Sequence, residues 1–121
     1  MEGRTMIDNV IAVLKMNGVD TDGALERFCG REELYKKYLG KFHEDKNYHG
    51  LFECLEKDDY ENAIINVHTL KGVSGNLGFS KLMEYSMAML SDLREGKYDN
   101  LEIHSENIRE ERDRIVALIN G

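Results

Sequence analysis

Apolar residues recur at helical spacing along nearly the whole chain. Met6, Val10, Val13 and Leu14, with Ile7 and Ile11 beside them, outline a short amphipathic helix that Asn17-Gly18 stops. Thr21-Asp22-Gly23 opens a second short helix holding Leu25 and Phe28, which Gly30 closes. From Arg31 the pattern restarts: Leu34, Tyr35, Tyr38, Leu39 and Phe42 share one face, and Phe52 and Leu55 continue it after a break at Asn47 to Gly50. Asp58-Asp59 places negative charge at the next helix start, where the macrodipole favours it, and Ala63, Val67, Leu70, Ser74 and Leu77 form that helix's core stripe. Ser80 is the expected cap of a helix carrying Leu82, Met83, Met89, Leu90 and Leu93, which ends at Gly96. A last helix runs from about Asp99 to Asn120. No stretch alternates with period two for long enough to make a strand. The pattern predicts an all-α protein: an antiparallel four-helix bundle over residues 19–121, preceded by additional short N-terminal helices. Residues 1–18 are expected to form an accessory helix across the bundle end, the alternative being a flexible leader or a cloning remnant in residues 1–5.

Composition agrees with this picture. The chain has 121 residues, 32% charged and 41% hydrophobic, enough for one domain with its own core. Proline is absent, which permits long uninterrupted helices. The formal charge of −7 repels phosphate backbones and argues against a nucleic-acid partner. The two cysteines, Cys29 and Cys54, make neither a disulfide scaffold nor a zinc site. No signal segment and no membrane-spanning apolar run is visible, so no membrane association and a cytoplasmic location are expected. The chain is expected to act as a monomer.

One segment carries chemistry, Asn66-Val67-His68-Thr69-Leu70-Lys71-Gly72-Val73-Ser74-Gly75-Asn76-Leu77-Gly78. At about 100° per residue, Glu61, Ile64, Ile65, Lys71, Gly72 and Gly75 lie within about 60° of His68. The core stripe lies opposite, so His68 points outward. That outward face carries two glycines, each costing about 1 kcal/mol against alanine inside a helix. Clearance is a reason to tolerate them: with no side chain at Gly72 or Gly75, another surface can approach the imidazole. Ile64 and Ile65 would supply an apolar edge for that partner to cover. Lys71 lies one turn beyond His68 and can supply a counter-charge to a phosphoryl group on the ring. An imidazole with a free pKa near 6.5 is largely neutral at cell pH and therefore nucleophilic. The residues also admit a plainer reading, in which His68 is an ordinary surface histidine and Gly72 or Gly78 ends the helix.

The segment resembles the histidine-containing phosphotransfer (HPt) family. The family pattern of His-x-Leu-Lys-Gly, a few small residues and Leu-Gly stands here as His68-Thr69-Leu70-Lys71-Gly72, then Val73-Ser74-Gly75-Asn76, then Leu77-Gly78. Asp59-Tyr60 and Ala63 before it, and Leu82, Leu90 and Gly96 after it, extend the resemblance over most of residues 20–120. The resemblance implies a four-helix bundle with His68 as phosphoacceptor. It implies as partners the receiver domains of response regulators or hybrid sensor kinases, exchanging phosphate with His68 through their aspartates. It also implies a phosphocarrier without kinase activity of its own and without its own cofactor, the Mg²⁺ being carried by the receiver. The alternatives are a non-catalytic helical adaptor, or a phosphotransfer module cut from a hybrid or chemotaxis-type kinase; the absence of a linker at Gly121 favours a free-standing protein.

Other signals are weaker. Asp45-Lys46-Asn47-Tyr48-His49-Gly50 and Glu56 approach a calcium-loop pattern, but His49 replaces an oxygen ligand at the fifth position. No His-Glu-x-x-His pattern exists, so no metal site is expected. Glu102, Glu106, Glu110 and Glu111, interleaved with Arg109, Arg112 and Arg114, are expected to form a solvated helix face.

Overall fold

The computed structural model describes residues 6–121. Among these residues seven α-helices follow one another: α1 (Val10–Met16), α2 (Thr21–Arg27), α3 (Glu32–Lys41), α4 (Lys46–Glu56), α5 (Tyr60–Asn76), α6 (Ser80–Arg94) and α7 (Leu101–Asn120), with a 3-10 turn (Phe42–Glu44) between α3 and α4. Residues 1–5, for which a flexible leader or a cloning remnant is the alternative, lie outside the described part. The core is one apolar cluster that includes Leu51 of α4, Val67 and Leu70 of α5, Leu82 and Met89 of α6, and Ile108 and Ile115 of α7. Helices α4 to α7 form the antiparallel four-helix bundle, in which α5 packs between α4 and α6, and α6 against α7. Helix α1 lies against the last turns of α7, where the Ile7 N–H donates to the Ile119 carbonyl at 3.0 Å. Val10 and Leu14 of α1 are fully buried in the same core as the bundle.

The fourth side of the bundle, between α7 and α4, closes through cations. Arg109 lies 4.1 Å from the Phe52 ring centroid and Arg112 4.6 Å from that of Tyr48. Arg112 also donates to the His43 carbonyl at 2.8 Å. Glu111 is buried and receives both arms of the Arg114 guanidinium, at 2.8 and 2.9 Å. The charged run on α7 is a solvated face at Glu102, Glu106, Arg109, Glu110 and Arg114, as the sequence suggested, but Glu111 is buried and Arg112 half-buried. From that face Arg109 and Arg112 also lay their guanidinium groups over aromatic rings of α4, so they serve packing as well as solvation.

Two further expectations are corrected. The break in the third helical region falls at Phe42–Asp45, not at Asn47 to Gly50. The Asp45 carboxylate accepts from the backbone N–H groups of Asn47 and Tyr48, at 2.9 and 3.1 Å, and starts α4 there. Gly50 then sits inside α4, where a Cβ would come within 3.2 Å of the Asn66 amide on α5. The calcium-like segment is thus a helix whose first acidic residue is a cap. Ser80 is not the cap of α6. The N-cap is Phe79, with no side-chain cap bond, because its N–H is drawn back to the Ser74 carbonyl at 2.8 Å. Its ring is buried edge-on against Phe42, with centroids 4.8 Å apart. At the end of α2, Cys29 (φ +56°) and Gly30 (φ +73°) both take left-handed backbone.

What positions the site helix is the capture of its C-terminal end. Gly78 takes a left-handed backbone (φ +84°) in a Schellman turn, with its N–H bonded to Gly75 and that of Phe79 to Ser74. The remaining carbonyls are taken by the N-terminal helices. Arg27 donates to Gly75 at 2.6 Å and to Asn76 at 3.4 Å, the Tyr35 hydroxyl to Leu77 at 2.8 Å, and the Asp20 N–H to Gly78 at 2.9 Å. Burial raises the Tyr35 phenol well above its ordinary pKa, with Arg27 opposing, so the hydroxyl stays a donor. A Cβ on Gly78 would collide with the Asp20 carbonyl. Gly78→Ala is therefore expected to destabilise the fold by about 2 kcal/mol or more, since both the left-handed backbone and the contact resist a side chain. Urea unfolding measures it, and an unchanged midpoint would contradict this role for Gly78.

Candidate functional site

Helix α5 begins at an Asp59 cap, whose carboxylate accepts from Asn62 at 3.3 Å, and runs unbroken through the whole informative segment to Asn76. Gly72 therefore does not end it; Gly78 does. Ala63, Val67, Leu70 and Ser74 are buried and face the core. His68 is exposed on the opposite side. Its neighbour Thr69 bonds back to the Ile65 carbonyl at 3.1 Å and leaves the imidazole free of side-chain partners among the described residues.

The outward face divides into two flanks. Beside His68, Ile65 is 59% exposed, whereas Ile64 is half-buried and packs against the core. Of the two expected edge residues, only Ile65 is a free apolar surface. Gly72 is exposed, and a Cβ there would have nothing within 4 Å among the described residues. Gly75 differs: a Cβ would stand 3.0 Å from the Met83 sulfur on α6. Its bareness lets α6 approach α5, so clearance at Gly75 is internal to the bundle and not open to a visitor.

On the other flank, Lys71 is half-buried along a cleft of about 300 Å³ between α5 and α6, shared with Met87, Leu90, Ser91, Arg94 and Glu95. This brings a second cation, Arg94, alongside Lys71, together with a hydroxyl, Ser91. Met87, 48% exposed, borders the same cleft. None of these α6 residues stands out in sequence. Arg94 and Ser91 look like ordinary polar positions of an amphipathic helix, and only the α5–α6 pairing places them beside Lys71. Among the described residues, no group of three or more His, Cys, Asp or Glu side chains converges as a metal site would. No helix among the described residues is long and apolar enough to cross a membrane.

Comparison with known families returns the Hpt domain, matched over residues 25–119. The chain belongs to that family. Hpt domains carry phosphoryl groups in two-component phosphorelays, as phosphocarriers and not kinases, and interact with receiver domains. Neither the comparison with curated proteins nor that with solved structures gave a match.

The open space at Gly72 has a direct energetic consequence. With nothing to collide with and an ordinary helical backbone, Gly72→Ala is expected to stabilise the protein by about 1 kcal/mol, through helix propensity and a less disordered unfolded chain. Urea unfolding is again the measure. A destabilised variant would mean that Gly72 is held bare by a contact within the fold.

Proposed function

We propose that the protein carries phosphate in a two-component relay, with His68 as the acceptor and donor atom site. The observation that supports this most is the exposed imidazole of His68, one turn from a glycine with open space around it. A neutral ring nitrogen of His68 attacks the phosphorus of an aspartyl phosphate on a receiver domain. The P–N bond forms as the acyl P–O bond breaks, and the receiver's carboxylate leaves with the bonding pair. The ring carries a positive charge until its other nitrogen sheds a proton to solvent. Return of the phosphoryl group to a second receiver reverses these steps.

Little of the catalysis falls to this chain. His68 presents the nucleophile on a rigid helix, which supplies orientation. Lys71 stands one turn away and offers its ammonium to the phosphoryl oxygens; at a partly exposed position such a pair is worth about 1 kcal/mol. Arg94 offers a second charge from across the α5–α6 cleft. The Mg²⁺ that neutralises the transferred group is expected on the receiver. Ile65 and Gly72 form the side over which the receiver closes, and the protein acts as a monomer.

The decisive variant is His68→Gln. Incubated with a phosphorylated receiver, it is expected to take up no phosphate, as read by intact mass, while its helical signal stays at the wild-type level. Wild-type product should lose its phosphate in acid and keep it in base; uptake by His68→Gln would remove the assignment. Lys71→Ala should slow transfer by about tenfold, the equivalent of roughly 1.4 kcal/mol, without stopping it. Complete loss in Lys71→Ala would mean that the ammonium takes part in the chemical step.

A further inference from the structure

Tyr98 lies in the link between α6 and α7 and is 43% exposed, yet it is not a loose loop side chain. Its ring stacks on Tyr60, with centroids 4.0 Å apart and planes at 19°. Tyr60 is the first residue of α5, and its hydroxyl donates to Asp58 at 3.2 Å. The link itself is tied down: the Lys97 N–H bonds the Asp92 carbonyl at 2.8 Å, and the Lys97 ammonium meets Glu95 at 2.8 Å. Glu95 also borders the cleft that holds Lys71. An aromatic knob is thus fixed in place before any partner arrives, which removes most of the ordering cost of using it in an interface.

The knob stands on the flank of α5 that leads to His68. Tyr60 is eight residues before His68, which places it about 12 Å up the helix axis and about 80° round it, on the side shared with Ile64 and Lys71. An ordinary interface covers about 800 Å² per partner, a disc of about 16 Å radius. A receiver centred on His68 therefore reaches the Tyr60–Tyr98 stack, but only near its edge. Ile65, three residues from His68 on the same helix face, is closer in and is covered by any receiver that brings its aspartate to the ring. The stack meets only receivers whose surface has the right shape at that distance.

Resting on the phosphocarrier reading above, we propose that Tyr98, backed by Tyr60, is a specificity residue: a cognate receiver seats a shallow apolar depression over the exposed ring. Receivers without that depression still exchange phosphate with His68, at lower affinity.

The test uses the full chain and a panel of purified receiver domains, each phosphorylated with acetyl phosphate. Wild type, Tyr98→Ala and Tyr98→Phe are compared by transfer rate against receiver concentration. For the best receivers, Tyr98→Ala is expected to raise the half-saturating concentration about fivefold or more, as truncation of an aromatic anchor does, and to leave the saturating rate unchanged. The poor receivers should not respond, so the spread across the panel narrows. Tyr98→Phe, which keeps the stack, should match wild type. Unchanged half-saturation, an equal loss across the panel, or a lower saturating rate would each overturn the proposal. Labelling with phosphoramidate, a small donor that needs no docking, separates the two levels of the argument. Tyr98→Ala should be labelled as fast as wild type, and slower labelling would mean the residue supports the fold or the chemistry instead. Failure of wild type itself to be labelled at His68 would remove the phosphocarrier reading, not merely the role of Tyr98.

Discussion

The structure depends on how the C-terminal end of α5 is closed. A helix with glycines at positions 72 and 75 is intrinsically weak, by about 2 kcal/mol relative to alanine. Its last carbonyls would cost more if they were buried without donors. Every carbonyl from Ser74 to Gly78 has a donor: Phe79, Gly78, Arg27, Tyr35 and Asp20 supply them. These donors come from the turn itself and from α2, α3 and the residue before α2, so the N-terminal helices are what hold the lower end of the site helix. The cation of Arg27 also lies where the helix dipole is negative. With one end locked there and the other started by Asp59, α5 can carry an exposed imidazole at a fixed height and angle.

That closure ties the sequence motif to two separate tasks. His68, Lys71 and Gly72 belong to the outward face. Leu77 and Gly78 belong to the lock: Leu77 is buried and its carbonyl takes the Tyr35 hydroxyl, while Gly78 adopts a backbone that other residues resist and touches Asp20. A motif that reads as one string is thus an outward, candidate site face followed by the joint that holds it. The charge pattern of α7 separates in the same way, with Arg109 and Arg112 serving the α4 face and the buried Glu111 held by an exposed Arg114.

Most of the fold was legible because helical periodicity records which side of each element is buried. The α5 stripe and the outward position of His68 follow from counting by 100° alone. The start of α4 was not legible, since Asp45 and Asn47 to Gly50 both look like punctuation; only the packing of Gly50 on Asn66 shows that its missing side chain serves a contact and not a turn. Ser80 misled for a related reason: the Schellman turn that precedes it determines where α6 begins, and a good capping residue does not move it. The α6 half of the site was invisible because no local pattern marks Ser91, Met87 or Arg94 as neighbours of Lys71. Their proximity is a property of the helix pairing, which a one-dimensional pattern does not contain.

The glycines give the argument its last step. Gly50 and Gly75 both sit inside helices, and each is explained by a neighbour a Cβ would crowd, Asn66 for one and Met83 for the other. Gly40 is as open as Gly72, but it lies in the last turn of α3, where a weak helix former costs less. Gly72 lies in the interior of α5, on its exposed face, with nothing near enough to need its bareness. No contact among the described residues offsets its cost of about 1 kcal/mol. Under the proposed function, a receiver that delivers a phosphoryl group to His68 comes close to the helix there, which would account for the bareness. A bulkier residue at position 72 would make a firmer helix and a poorer landing surface, which is the exchange expected where stability and function compete for one position.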